Sequence, residues 1–202
     1  MHPDEIIFDY LATQIDDTKL AIDIGSKYGA WSKKLNDKLP NLKIKQFEPR
    51  KGDVALSNYE GKSEFYIDVE KKGWSGLKKQ RDAVYETIQV DVKTLDSFEL
   101  NNVGFIKIDV EGNELYTLMG AEMTLYKNRP IIYFECADVH LENYDYTSEQ
   151  LYGWLKENYY NIYDIQRTAL SLKRFKEYCA SDETWKHNFI GHYDYYSQIS
   201  LG

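Results

Sequence analysis

Apolar positions along the chain follow two periods, and the switch between them outlines the elements. Ile6, Ile7, Tyr10 and Leu11 recur at helical spacing and predict an opening helix over residues 4–15. Leu20–Ile24 is a short apolar run holding one acid and ended by a glycine, the pattern of a buried strand. Trp31, Leu35 and Leu39 are spaced four apart up to Pro40, which predicts a helix from about Ala30. Residues 44–47 form the next strand, closed by Glu48-Pro49. Strand, helix, strand is the unit of a parallel sheet.

The rhythm breaks between residues 50 and 100. Glu60-Gly61-Lys62 is a turn signal between residues 55–59 and 63–69, so a hairpin-like excursion is expected there. Gly73-Trp74-Ser75-Gly76 reads as a loop, and residues 87–92 as a strand. Parallel order then resumes with a strand at 105–110. A helix follows, with Leu115, Leu118, Met119 and Met123 on one face, and Arg129-Pro130 ends it. Residues 131–136 form another strand. Ser148-Glu149-Gln150 caps a helix bearing Leu151, Trp154 and Leu155. Residues 162–166, 170–173 and 189–193 are expected as closing strands.

Composition narrows the partners. The 202 residues are 43% hydrophobic and 29% charged, enough for one domain spanning 1–202, whether whole or cut from a longer protein. A net charge of -8, with no basic block denser than Lys71-Lys72 and Lys78-Lys79, argues against nucleic acid as the main partner. No apolar run approaches the ~20 residues of a membrane span, and the polar start Met1-His2-Pro3-Asp4-Glu5 is unlike a signal peptide. Cys136 and Cys179 make neither a disulfide framework nor a metal-ligand spacing, so a reducing, cytoplasmic setting is expected. The 18 tyrosines suit half-buried, pleated surfaces first, and sugar or base stacking second.

Carboxylates at strand ends carry the candidate chemistry. Asp23-Ile24-Gly25-Ser26-Lys27-Tyr28-Gly29 is a strand-to-helix turn with glycines four apart, which lets backbone approach a ligand. It lacks the central glycine of a dinucleotide fingerprint, and Asp23 would repel phosphate, so a cationic, amino-acid-like ligand fits better. Glu48 ends the second strand where an acid bonds ribose hydroxyls in doubly wound folds. Lys107, Asp109 and Glu111 alternate and are expected on one face. A buried lysine needs an acid, and Asp23 on a neighbouring strand is the expected partner. Residues 134–140 add Glu135, Asp138 and His140, the last a candidate general base unless it is simply a surface histidine, as His187 and His192 are expected to be.

Together these residues resemble the FkbM family of S-adenosylmethionine-dependent methyltransferases. The resemblance rests on residues 22–29, Phe47-Glu48-Pro49, Thr94-Leu95-Asp96 and Ile106-Lys107-Ile108-Asp109-Val110-Glu111-Gly112-Asn113-Glu114, continued by Leu118-Met119-Gly120-Ala121 and residues 129–135. It covers roughly residues 18–140, with His187-Asn188-Phe189 beyond. Two positions depart from the family: Lys27 stands where a small polar residue or Asn is usual, and a helix usual after Glu48-Pro49 is missing.

The resemblance implies a Rossmann-like fold with a seven-stranded, mostly parallel sheet and helices on both faces. It further implies transfer of a methyl group to an oxygen, with S-adenosylmethionine as cofactor. Asp23, Gly25, Ser26 and Gly29 would line the cofactor's amino-acid end, Glu48 would hold its ribose, and Ser75 would lie near the site. Asp109 would face the methionine moiety or the acceptor. The proton acceptor is then Asp109 or Glu111, with His140 third. A sugar hydroxyl in a glycan or glycosylated metabolite is the expected acceptor, with Trp74 and residues from 141 onward shaping its choice. Two alternatives stay open: a magnesium ion held by Asp109, Glu135 or Asp138 that acidifies the hydroxyl, and a catalytically degenerate module that binds carbohydrate or a partner protein. Oligomeric state is not specified.

Overall fold

A computed structural model describes residues 3–71 and 73–194. The polar start at Met1-His2 and one lysine of the Lys71-Lys72 pair thus lie outside the described residues. In chain order, α1 (Pro3–Gln14) leads to β1 (Leu20–Ile24), α2 (Ala30–Lys38) and β2 (Lys43–Phe47). The excursion holds β3 (Ala55–Leu56), β4 (Gly61–Asp68) and β5 (Tyr85–Lys93). Then come β6 (Val103–Ile108), α3 (Glu114–Met119), α4 (Glu122–Asn128), β7 (Ile131–Glu135) and α5 (Asp138–Leu141). α6 (Ser148–Glu157), β8 (Tyr160–Asp164), α7 (Leu172–Cys179) and β9 (Asn188–Tyr193) close the described chain.

Six strands form one mixed sheet in the order β2-β1-β6-β7-β9-β8. β2, β1, β6 and β7 run parallel, while β9 is antiparallel to both β7 and β8. Helices α1 and α2 cover one face, packing Ile7, Phe8, Leu11 and Leu35 against Phe105, Tyr133 and Ile190. On the other face Leu118, Leu125, Leu151, Leu155 and Phe175 pack against Ile22, Ile106, Ile132 and Phe189. Each fully buried large side chain here is worth roughly 2–3 kcal/mol over its exposed state. The parallel strands carry apolar residues toward both helical layers, which is why they read as near-continuous hydrophobic runs.

The sheet has six strands among the described residues, not the seven implied by the resemblance. After Glu48 the chain makes one short helical turn at Pro49–Lys51, closes it at Gly52 (φ 79°), and leaves for a separate three-stranded sheet. The expected hairpin within 55–69 is replaced by a longer one. β4 pairs antiparallel with β5 over eight residues, and two-residue β3 pairs parallel with β5.

Three further expectations change. Residues 172–179 are helical, not part of a strand: Ser171 caps the N-terminus through Arg174 N, and Phe175, Tyr178 and Cys179 are buried at helical spacing. The helix expected to run to Arg129 is two helices. Gly120 lies between them, where a Cβ would sit 2.0 Å from the Ser57 carbonyl oxygen. Their buried side comprises Leu115, Leu118 and Leu125, whereas Met119 and Met123 are 40% and 50% exposed. Finally, Thr147, one residue earlier than expected, is the cap of α6 and forms a reciprocal capping box with Gln150. Cys136 and Cys179 are free and buried, and no described helix is long and apolar enough to cross a membrane.

Candidate active site

The C-terminal ends of β1, β2 and β6 open onto a cleft of about 250 Å³. Gly25, Ser26, Glu48, Ser75, Asp109 and Glu111 all line it, together with Lys27, Arg50 and Asn113. Crevices form at this edge of open α/β sheets because the helices diverge to either side.

The turn after β1 is held from behind. Gly25 adopts φ +78°, and a Cβ there would lie 1.8 Å from the Asp109 carbonyl oxygen, so only glycine lets the ends of β1 and β6 meet. The amides of Gly25 and Ser26 donate to Phe47 O at 3.0 and 3.4 Å, that of Lys27 to Glu48 Oε2 at 2.6 Å, and that of Gly29 to Ser26 O at 2.6 Å. Those four amides are therefore unavailable to an anion. What the turn offers the cleft instead is the Ser26 hydroxyl, whose buried oxygen has no partner among the described residues. A turn whose amides are engaged, in a cleft bordered by Glu48, Asp109 and Glu111, favours a cationic ligand over a pyrophosphate. Lys27 itself takes φ 50°, a conformation that Asn tolerates better than Lys, which gives physical content to that departure from the family.

Glu48 is 2% exposed and bonded through both oxygens. Arg50 donates from Nε to Oε1 at 2.7 Å and from Nη2 to Oε2 at 2.8 Å, and its backbone amide reaches Oε1 at 3.1 Å. With Lys27 N, four donors fill the roughly four acceptor positions of one carboxylate. Burial works against the Arg50 charge, but the Glu48 bonds and charge hold its pKa above the ordinary value. A ribose hydroxyl bonding Glu48 would have to displace one of these donors.

Asp23 lies behind the cleft lining. It is fully buried on β1, with Ser32 Oγ donating to Oδ2 at 2.5 Å and Lys107 Nζ 3.3 Å from Oδ1. The register places Asp23 beside Lys107 on β6, so the expected ion pair forms across adjacent strands. Lys107 also meets Asp109 Oδ2 at 3.1 Å and donates to Gly25 O at 3.3 Å. Desolvation opposes its charge, yet Asp109 and Asp23 outweigh that and raise its pKa. Gly29 likewise lies behind the lining, as the residue that begins α2 at φ 78°.

Beyond β6 the backbone turns sharply. Glu111 and Gly112 have φ 55° and 96°, so Glu111 leaves the strand rather than continuing the alternation of Lys107 and Asp109. Its Oε2 comes 3.2 Å from His140 Nδ1, and Glu135 Oε2 lies 3.6 Å from the same nitrogen. Burial, then the charges of Glu135, Asp109 and Glu114, raise the Glu111 pKa well above the carboxylate range. Burial opposes protonation of His140, but the bond and charge of Glu135 raise its pKa overall. His140 is buried, edge-on to Trp74 at 5.1 Å, rather than a surface residue; His187 is buried too. Asp138 starts α5 and is not part of this cluster.

Several residues that sequence reasoning passed over build this corner. Glu114 is buried and accepts from Val110 N at 3.0 Å and Gly112 N at 3.2 Å, pinning the turn. Tyr146 donates to Gly112 O at 2.6 Å, and Gln80 Nε2 to Glu111 O at 2.6 Å. On the other side, Asp68 is bonded by Arg81 at 2.8 and 3.1 Å and by the amides of Glu70 and Lys71, tying down the loop that carries Trp74 and Ser75. Ser75 is buried, its Oγ accepting from Asp68 N at 3.3 Å. Asp96 caps α4 through Thr124 N and Met123 N, so that family block is structural.

A family model described as "Methyltransferase FkbM domain" matches residues 22–162, more than two thirds of the chain. The chain belongs to the FkbM methyltransferase family. A search of the curated proteins finds no match. Among solved structures, an FkbM methyltransferase from Methylobacillus flagellatus superposes with a TM-score of 0.51 at 14% identity, over 87% of this chain. This FkbM chain spans 44% of the length of that solved chain, and at such identity the likeness speaks for the fold. Membership in the family gives the cleft a chemical context.

Proposed function

We propose that the protein is an S-adenosylmethionine-dependent O-methyltransferase acting on a hydroxyl of a sugar. The position of Asp109 carries this reading. It borders the cleft described above and also a second cavity of about 210 Å³, lined by Phe8, Trp31, Lys34, Tyr133 and Asn188. A methyl transferase needs two adjoining compartments that meet at the reacting atoms, and one carboxylate stands at their junction.

When bound, the cofactor supplies a methyl carbon on a positively charged sulfur. The unpartnered Ser26 hydroxyl and the tight Gly25 turn fit its amino-acid end, and Glu48 would take the ribose once Arg50 yields a position. Lys107 fixes Asp109, and Asp23 with Ser32 fixes Lys107, so the carboxylate is oriented before substrate arrives. Asp109 is 40% exposed on its side chain, accessible enough to accept the proton of an entering hydroxyl. Aligning acceptor oxygen and methyl carbon is the larger part of the catalysis. The aromatic wall of the second cavity, Phe8, Trp31 and Tyr133, supports a sugar acceptor, whose C–H faces pack on rings.

The test is transfer of labelled methyl groups from S-adenosylmethionine to a panel of mono- and oligosaccharides. Label in a sugar methyl ether is expected. Label appearing only on nitrogen or carboxylate acceptors would overturn the assignment.

A further inference from the structure

The corner beyond β6 and β7 contains more negative charge and more acceptor atoms than the chain satisfies. Glu111 Oε2 is buried on a side chain only 12% exposed and accepts no hydrogen bond among the described residues. Gln80 Oε1, on the amide that bonds Glu111 O, is also buried without a partner among the described residues. Leaving a carboxylate oxygen in that state is costly. A histidine alone does not cure it. His140 Nδ1 is shared between two carboxylates, at 3.2 Å from Glu111 and 3.6 Å from Glu135, and one N–H serves one of them well.

One atom from each of Glu111, Glu135 and His140 lies within 4.8 Å of the other two. Donors bound to one ion at about 2.1 Å stand roughly 3–4 Å apart, so small side-chain adjustments would bring the three onto a common centre. Three independent elements supply them: the turn after β6, the end of β7 and helix α5. The turn is rigid, held in a left-handed conformation and bonded by Gln80 and Tyr146. Trp74 stands edge-on to His140 at 5.1 Å.

We propose that Glu111, Glu135 and His140 form a binding site for a divalent first-row transition ion. One imidazole and two carboxylates suit Mn2+, Co2+ or Zn2+ better than an all-oxygen Mg2+ shell. The set differs from the trio of Asp109, Glu135 and Asp138 considered on sequence grounds. Three protein ligands leave positions open on the ion. Glu111 and Asp109 both border the first cleft, so a hydroxyl reaching it from the second cavity past Asp109 could take an open position, where the ion would lower its pKa and Asp109 would accept its proton. That use of the ion rests on the methyl-transfer reading; the binding of the ion does not.

The test titrates MnCl2 into the chelator-stripped full chain, followed by calorimetry and by the electron spin resonance of free Mn2+. One ion per chain is expected, with a rise in melting temperature. His140→Ala and the milder Glu135→Gln should each weaken binding at least tenfold, with circular dichroism showing that the variants are folded. No stoichiometric uptake of Mn2+, Co2+ or Zn2+, or uptake unchanged in both folded variants, overturns the site. S-adenosylmethionine binding to the stripped protein is measured in parallel. Cofactor binding without ion uptake refutes the ion site alone, and ion uptake without cofactor binding refutes only the use assigned to it.

Discussion

Glu48 and Glu111 border the same cleft and are treated in opposite ways. Glu48 is saturated by Arg50 and the Lys27 amide. Glu111 is surrounded by Glu135, Asp109 and Glu114, and its Oε2 faces His140 Nδ1 at 3.2 Å without forming a hydrogen bond. The first side is complete as folded and must open a bond to take a ligand. The second is frustrated as folded and gains by taking one. Such local conflict concentrates where a sequence serves function rather than stability.

The largest effect separating the two sides is expected at the carboxylate between them. Asp109→Asn should lower methyl transfer by about 10²–10⁴-fold while S-adenosylmethionine still binds, since general bases contribute that much. Turnover with labelled donor, alongside calorimetry, checks both halves. Full activity in the variant would move the base elsewhere.

The overcharged side should also show in stability against pH. Burial raises the Glu114 pKa from 4.5 to about 7. Between those values the unfolded chain ionises this carboxyl while the folded chain keeps its proton. Stability from this group is therefore full below pH 4.5 and declines as pH rises toward 7, by on the order of 3 kcal/mol. Glu114→Gln should flatten that decline in urea titrations at several pH values, and an unchanged slope would refute the burial argument. Asp68 has the opposite sign. Arg81 lowers its pKa from 3.8 to about 2, so its contribution is present above 3.8 and lost as pH falls through 2. Asp68→Asn should therefore lower stability at neutral pH and lessen the further loss on acidification.

The smaller effects probe the saturated side. Glu48→Gln should weaken cofactor binding about tenfold, the value of one good charge-assisted bond. Arg50→Ala should tighten it a few-fold, because ribose no longer competes with a guanidinium. A weaker cofactor in the Arg50 variant would mean that Arg50 itself bonds the ligand.

Much of the parallel sheet was legible, and the reason is physical. Strands β1, β6 and β7 are buried on both faces, so each reads as an apolar run whose end is marked by an acid or glycine. The strand ends bearing Gly25, Ser26, Glu48 and Asp109 do share one cleft. Short-range pattern failed where long-range packing decides. Leu170 and Leu172 alternate like a strand, but Phe175, Tyr178 and Cys179 settle the segment as helix. Gly120 looks like any helical glycine until Ser57, over sixty residues earlier, is seen against it. In the site, Arg50 lies two residues from Glu48 and Glu114 three from Glu111, so adjacency was the available signal for each. Ser32 was marked only by its spacing of three from Leu35 on the buried face of α2. No spacing announces that Gln80 bonds the turn at Glu111.

Calorimetric titration of S-adenosylmethionine into the purified chain tests the central claim most directly. One molecule per chain is expected, with a dissociation constant in the micromolar range and a marked loss in Glu48→Ala. Absence of any heat or saturation at millimolar ligand would contradict the account of the cleft.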